Sequence, residues 1–246
     1  MTLTEAIEHR RSRRKYIPVP LEPAAADKLR GLIAEYSQKG NVRMELVLND
    51  GGAFGGLTKS YGMFSGVRHY IGLIADKNDA TSAERLGYYG ELLALHAEAM
   101  GLGSCWVGGS FDRKSCPIAL SENEKLACVI TVGAVEERYG VMERLIRGIT
   151  QRKSKSAEEM FTVSGGIPAV PAWFISGMEA VRKAPSAVNR QPVMFEYKDG
   201  RVSALVSKPE ETSMALDFGI AKAHFELGAG GGQWQWGNGG EFALRT

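Results

Sequence analysis

Two stretches of this 246-residue chain carry side chains whose types and spacing could do chemistry. The first, His9-Arg10-Arg11-Ser12-Arg13-Arg14-Lys15-Tyr16, puts five arginines and lysines into eight positions around a serine hydroxyl. Guanidinium forks with a hydroxyl suit a phosphate dianion. The same run also suits a solvated face or a nucleic-acid patch. The second, Pro185-Ser186-Ala187-Val188-Asn189-Arg190-Gln191-Pro192, gathers hydroxyl, amide and backbone donors in one turn. A plain connection between a helix and a strand would read the same way.

The balance of the chain narrows these readings. Net charge is only +2, so the basic run is local. A nucleic-acid footprint would be more basic, more widely spread and interleaved with aromatics, so no nucleic-acid partner is expected. Hydrophobic residues make up 44% and charged residues 24%, as in a soluble globular protein. Cys105, Cys116 and Cys128 match no zinc spacing, and an odd count argues against a disulfide framework. No metal is expected, and reduced thiols point to the cytoplasm. The start, "MTLTEAIEHRRS", lacks the apolar core of a signal peptide, and no apolar run approaches the roughly 18–20 residues of a membrane span.

The elements that would position the two stretches follow from periodicity. Residues 4–13 read as a short helix closed by Pro18 and Pro20. Residues 22–38 form a second helix with Leu29, Leu32, Ile33 and Tyr36 on one face. Two strands, "MELVLN" and "RHYIGLIAD", flank a glycine-rich excursion long enough to cover a site. Residues 81–102 carry a buried stripe of Leu86, Tyr89, Leu93, His96 and Met100 behind a Thr81/Glu84 capping box. "SCWVGG" reads as a strand entering a loop, and "LACVITVGAV" as a strand buried on both faces. Residues 136–165 read as a polar connection. A helix follows Pro171, then a hairpin turns at Asp199-Gly200, a helix covers 210–227, and a glycine-rich tail ends the chain.

Residues 96–106 and 224–234 match in register at His96/His224, Glu98/Glu226, Gly103/Gly231 and Trp106/Trp234. Both stretches close a long helix. The match implies an α+β fold of two pseudo-symmetric helix-and-sheet halves, residues 1–165 and 166–246.

"RRSRRKY", "GLGSCWVGG" and "APSAVNRQP", each in this setting, resemble the FMN-dependent nitroreductase family, and in particular chains in which two nitroreductase-like halves are fused. The resemblance implies bound FMN, NAD(P)H as reductant, and a nitroaromatic, quinone or similar small-molecule acceptor. It places Arg10 and Ser12 on the FMN phosphate with Arg11 between them, and Arg14 at the pyrimidine edge of the flavin. It places Gly108 and Gly109 at flavin N5 with Val107 on the ring. Arg152 and Lys153 would complete the phosphate site, and Pro185, Ser186, Asn189 and Gln191 would approach from the second half. Tyr61, Gly62 and Met63 would face substrate. No residue stands out as a catalytic acid. In the wider family the flavin lies between two subunits, so this chain is expected to be a monomer that mimics the dimer. A flavin-binding or flavin-processing protein without nitroreductase turnover is the alternative. Arg13 and Lys15 read as solvated surface, and Cys105, His96, Trp106 and Trp234 as core.

Overall fold

The structure, a computed structural model, describes residues 1–55, 62–138, 140, 143–145, 148, 154–165 and 170–245. Helix α1 (Leu3–His9) opens on a reciprocal capping box, in which Thr2 Oγ1 accepts from the Glu5 N–H and the Glu5 carboxylate accepts from the Thr2 N–H. It stops at His9, short of the expected 4–13. The chain turns extended at Arg10, and the residues beyond pair like a strand.

After α1 one topology occurs twice. The first set is α2 (Pro23–Gly40), β1 (Arg43–Val47), β2 (Tyr70–Asp76), α3 (Ser82–Ala99), β3 (Gly103–Val107) and β4 (Glu124–Gly133). Strand β5 (Phe161–Ser164) follows. The second set is α4 (Ala172–Arg182), β6 (Val193–Lys198), β7 (Arg201–Val206), α5 (Thr212–Gly228), β8 (Gly232–Trp234) and β9 (Glu241–Leu244). Each set builds an antiparallel sheet in the same order, β1-β2-β4-β3 and β6-β7-β9-β8. The expected α+β fold of two similar halves is therefore present. The polar connection of 136–165 contains β5, which joins the second sheet in parallel beside β6. The glycine-rich tail contains β8 and β9.

Each sheet packs its own two helices. Leu29, Leu32, Ile33 and Tyr36 of α2 meet Leu86 and Leu93 of α3 over Ile71, Leu73 and Ile130. Phe174 and Met178 of α4 meet Phe218 and Phe225 of α5 over Phe195, Val202 and Phe242. The β6–β7 hairpin turns on Asp199 and Gly200, both at positive φ, the type I′ signature of a two-residue hairpin. Among the described residues no helix is long and apolar enough to cross a membrane.

The two sets join where α3 crosses α5. A Cβ on Gly87 would lie 2.1 Å from the Leu216 carbonyl oxygen, and a Cβ on Gly219 would lie 1.8 Å from the Glu84 carbonyl oxygen. The relation is reciprocal, and only hydrogen side chains allow it. The Thr81/Glu84 capping box is not formed, because Glu84 turns inward at this crossing, to Lys222 Nζ at 2.5 Å and to the Gly237 N–H at 2.8 Å.

Gly219→Ala should therefore force the helices apart and cost about 2–3 kcal/mol or more, as overpacking against backbone does. Gly31→Ala, on an exposed face of α2 with nothing within 4 Å of the new Cβ, should instead stabilise by about 0.5–1 kcal/mol. Paired denaturant unfolding curves check both signs.

Candidate functional site

The basic run lies on an extended ribbon held on both sides. Ser12 pairs with Ser104 of β3, and the Arg13 N–H donates to the Ser104 carbonyl at 2.9 Å. On the other side Lys15 pairs with Ser65, the Ser65 N–H donates to Arg14 O at 3.0 Å, and the Tyr16 N–H donates to Ser65 O at 2.9 Å. Gly66, at φ 71, closes the excursion so near the ribbon that a Cβ would lie 2.1 Å from Tyr16 O. Tyr16 locks the end, its buried hydroxyl donating to Arg13 O at 2.8 Å and meeting Thr131 Oγ1 at 2.7 Å.

Two buried carboxylates orient the arginines, and neither was singled out in the sequence. Glu91 of α3, with no exposure, accepts from Trp106 Nε1 at 2.7 Å, meets His224 Nε2 at 3.0 Å, and pairs with Arg10 Nε at 3.3 Å. Burial pushes its carboxyl up, but the Arg10 charge and the His224 hydrogen bond outweigh burial and hold it below the usual carboxylate range. His224 Nδ1 faces Ala180 O at 2.9 Å, so oxygen atoms stand at both ring nitrogens. Glu143 collects the Arg14 N–H at 2.5 Å, the Lys15 N–H at 3.2 Å, the Gly140 N–H at 2.7 Å and Arg13 Nε at 3.2 Å. Its carboxyl too is raised by burial and lowered further by these donors. Arg13 is thus buried and ion-paired, not solvated as expected. Lys15 does lie at the surface, paired with Glu136.

The remaining arginines keep unspent capacity. Among the described residues, Arg10 Nη1 is buried without a hydrogen-bond partner, as is Ser104 Oγ beside Ser12. Arg11 donates to the carbonyls of Glu8 and Arg10. The Arg14 guanidinium lies over the Phe64 ring, 5.9 Å from its centre, and forms no ion pair among the described residues. Orphaned donors of this kind fit an anion. Arg11, Ser12 and Arg14 stand on the same ribbon as the orphaned Arg10 Nη1, a donor set whose chemistry suits a phosphate group.

Val107 ends β3 next to this ribbon, and Gly108 and Gly109 follow it. Val107 points into the core, whereas Gly108 and Gly109 are exposed, and a Cβ on either would meet nothing within 4 Å. This backbone stands open to a flat ligand. Met63 half-buries against the cluster that holds Phe64, Tyr16 and Val107, and Gly62 is an exposed turn at φ 67. Tyr61, Arg152 and Lys153 lie outside the described residues.

The second stretch leaves α4 beside α1. Ala180 shares an apolar cluster with Ala6, Ile7 and Leu95, and Lys183 pairs with Glu8. Pro185, Ser186 and Asn189 are half-buried. Ser186 Oγ accepts from the Gln191 N–H at 2.9 Å, and Asn189 Nδ2 donates to Ser154 Oγ at 3.1 Å. Gln191 turns inward, accepting from the Lys155 N–H at 2.7 Å and donating to Arg182 O at 3.2 Å. Val188, Asn189 and Gln191 all adopt positive φ, a strained conformation for a valine above all. Asp217 of α5 pins the loop by accepting from the Ala187 N–H at 3.0 Å. Burial raises the Asp217 carboxyl to about 7, against the lowering effect of that N–H. Glu91, Glu143 and Asp217 escaped the sequence reading, and His224 entered it only as the repeat partner of His96. Their one signal is a charged residue inside an apolar helical stripe, which Glu91, His224 and Asp217 show and Glu143 does not.

Cys105 is a buried free thiol, and burial raises its titration. His96 bonds the Tyr36 hydroxyl at 2.9 Å. Trp234 is buried and Trp106 half-buried. Cys105 and Trp234 are core, as read from the sequence, whereas His96 and Trp106 are half-buried at its edge.

A family model described as "Putative TM nitroreductase" matches residues 2–229. Among solved structures, a Thermotoga maritima protein described as a "putative nitroreductase" aligns at 21% identity over 99% of this chain and 93% of its own, with a TM-score of 0.66. An FMN-dependent nitroreductase from Clostridium difficile aligns at 20% identity over 54% of this chain and 87% of its own, with a TM-score of 0.44. A nitroreductase-like protein from Desulfovibrio desulfuricans in complex with FMN aligns at 19% identity over 58% and 95%, with a TM-score of 0.43. No curated protein matches the chain.

Removing Arg10 strands the buried Glu91 charge, so Arg10→Ala should cost about 3 kcal/mol of stability; urea unfolding of the purified variant checks it. Asp217 gives a pH signature. Its folded value of about 7 stands above the ordinary 3.8, so the folded state holds the extra proton between them. Stability from this group is present at low pH and is lost as pH rises toward 7. Between pH 5 and pH 8 the wild type should lose more stability than Asp217→Asn, as read from the difference of their unfolding free energies.

Proposed function

The chain belongs to this nitroreductase family, and from that premise we propose that it is an FMN-dependent oxidoreductase that takes electrons from NAD(P)H and passes them to a small-molecule acceptor such as a nitroaromatic or a quinone. Bound FMN would supply hydride acceptance at its ring nitrogen N5 and onward electron transfer. The observation that carries the reading is the buried Arg10 Nη1 without a partner, on the same ribbon as Ser12 and Arg14.

In this reading Arg10, Arg11 and Ser12 hold the phosphate, and Arg152 and Lys153 complete its charge balance. Glu91 fixes the direction of the Arg10 fork by engaging Nε, which leaves the buried Nη1 for the phosphate. Arg14, which pairs with no carboxylate among the described residues, favours negative charge on the pyrimidine edge. Gly108 and Gly109 offer backbone N–H groups at N5, where the open space allows close approach, and Val107 supports them from the core. Pro185, Ser186, Asn189 and Gln191 close the site from the second set. Tyr61, Gly62 and Met63 border the acceptor. No side chain is assigned as proton donor, and solvent fills that role. Since both groups of motifs lie on one chain, one monomer in the cytoplasm builds one complete site from its two halves and binds one FMN.

The purified protein should be yellow, release FMN on heating and bleach with NADH or NADPH. Ser12→Ala and Arg14→Gln should each weaken FMN binding roughly tenfold, since charge-assisted hydrogen bonds contribute about 1.5–3 kcal/mol. They leave Glu91 paired, so the fold should hold. Released FAD, a protein that ignores added FMN, or unchanged affinity in both variants overturns the reading.

A further inference from the structure

The repeated topology locates a second position equivalent to the flavin site, and the structure has a cavity there. The correspondence is set by two tryptophans. Trp106 of β3 donates its indole N–H to Glu91 of α3, and Trp234 of β8 donates its own to the Lys222 carbonyl of α5. Both β3 and β8 are edge strands of their sheets. Two residues beyond Trp106 stands Gly108, open to solvent; two residues beyond Trp234 stands Trp236. The end of α4 that leads into Pro185–Gln191 corresponds to the end of α2, which carries Tyr36 and Lys39.

These counterparts line one cavity of about 750 Å³, with Tyr88 and Tyr89 of α3 and Glu226 of α5. That volume is in the range of small-molecule sites. The Trp236 ring meets Tyr88 edge-on at 5.4 Å, Tyr88 meets Tyr89 at 5.0 Å, and Tyr89 meets Tyr36 at 5.6 Å. The Tyr88 hydroxyl faces the Glu226 carboxyl, which burial raises above its ordinary range. Charge at the rim is balanced: Lys39 pairs with Glu35 at 2.7 Å, and Arg245 stands near Glu226. No arginine–serine ribbon lies along the free edge of β8 among the described residues. The cavity therefore has ring faces and a hydrogen-bonding carboxyl, but nothing equivalent to a phosphate grip.

We propose that this cavity is a second binding site, for a flat, uncharged aromatic molecule of one or two rings bearing a polar substituent, and that Trp236 excludes the flavin itself. The equivalence with a flavin site rests on the function proposed above; the cavity and its lining do not. The aromatic faces supply stacking and edge-on contact for a ring. Glu226 receives the polar substituent. Trp236 takes up the room that Gly108 leaves open at the other site, so a three-ring flavin does not fit.

The test uses 2-naphthol, which is uncharged at neutral pH, carries one hydroxyl on two rings and accepts no electrons from a flavin. Calorimetric titration into FMN-saturated protein should show one equivalent bound per chain. Trp236→Ala should weaken it about tenfold and Glu226→Gln about threefold, with FMN content unchanged. Glu226→Gln conserves shape, so it reads the site even if the larger truncation fails to fold. Absence of binding to the wild type, binding indifferent to both variants, or displacement of 2-naphthol by excess FMN overturns the proposal. A protein that binds 2-naphthol with these losses but takes up no FMN supports the cavity and removes the flavin reading instead.

Discussion

A carboxylate shut off from water must be surrounded by donors, and Glu91 takes its donors from three directions. Arg10 arrives from the end of α1, Trp106 from β3 and His224 from α5, while His224 is itself held by the last turn of α4. A buried ion pair adds little net stability compared with an apolar equivalent, yet breaking it leaves an uncompensated charge in the interior. Its effect here is to specify arrangement. The basic ribbon cannot move off β3 without stranding Glu91, and α5 cannot slide along α3 without withdrawing His224. The same carboxylate thus joins the two sheets and aims the arginine that the candidate site needs.

The helix crossing makes this possible. Gly87 and Gly219 let the two backbones touch, and side chains on either side of the contact reach across to the other set. On one side lies the Glu91 cluster. On the other, Lys222 meets Glu84, with the carbonyls of Gln235 and Gly237 completing its shell at 3.0 and 3.3 Å. The first half supplies both carboxylates, Glu84 and Glu91, and the second supplies Lys222 and His224 to meet them. Neither set buries its long helix without the other.

The elements with a clear period were legible from sequence alone. The stripes of α2 and α3, the buried run of β4 and the Asp199-Gly200 hairpin all stand where periodicity puts them. The places where that reading failed share a physical cause. Glu84 has the spacing of a capping partner, but a buried lysine competes for it and wins. Arg13 looks like solvated surface because its partner, Glu143, comes from a distant polar stretch without periodicity. Strands β8 and β9 hide in a glycine-rich tail because glycines at positive φ build the turns between strands of three and four residues. The ribbon of the candidate site was legible by residue type; its orientation was not, because that depends on carboxylates some 80 and 130 residues away.

Two sheets of one topology can differ sharply in what they bind, and here the differences sit at three points. Residues 10–16 lie along the edge of β3, where Ser12 and Arg14 bring donors, while the edge of β8 has no such partner among the described residues. Between β1 and β2 the chain makes a long excursion whose closing residues, Phe64 to Gly66, clasp the ribbon and receive the Arg14 guanidinium; the equivalent link between β6 and β7 is a two-residue turn. Beyond the matching tryptophans, Gly108 leaves an open face and Trp236 fills one with indole. None of these changes touches the helix crossing or the order of the strands. The two edges can diverge while the shared interface is kept, because the charges that lock the halves together are buried between the helices and the residues that differ are at the sheet edges.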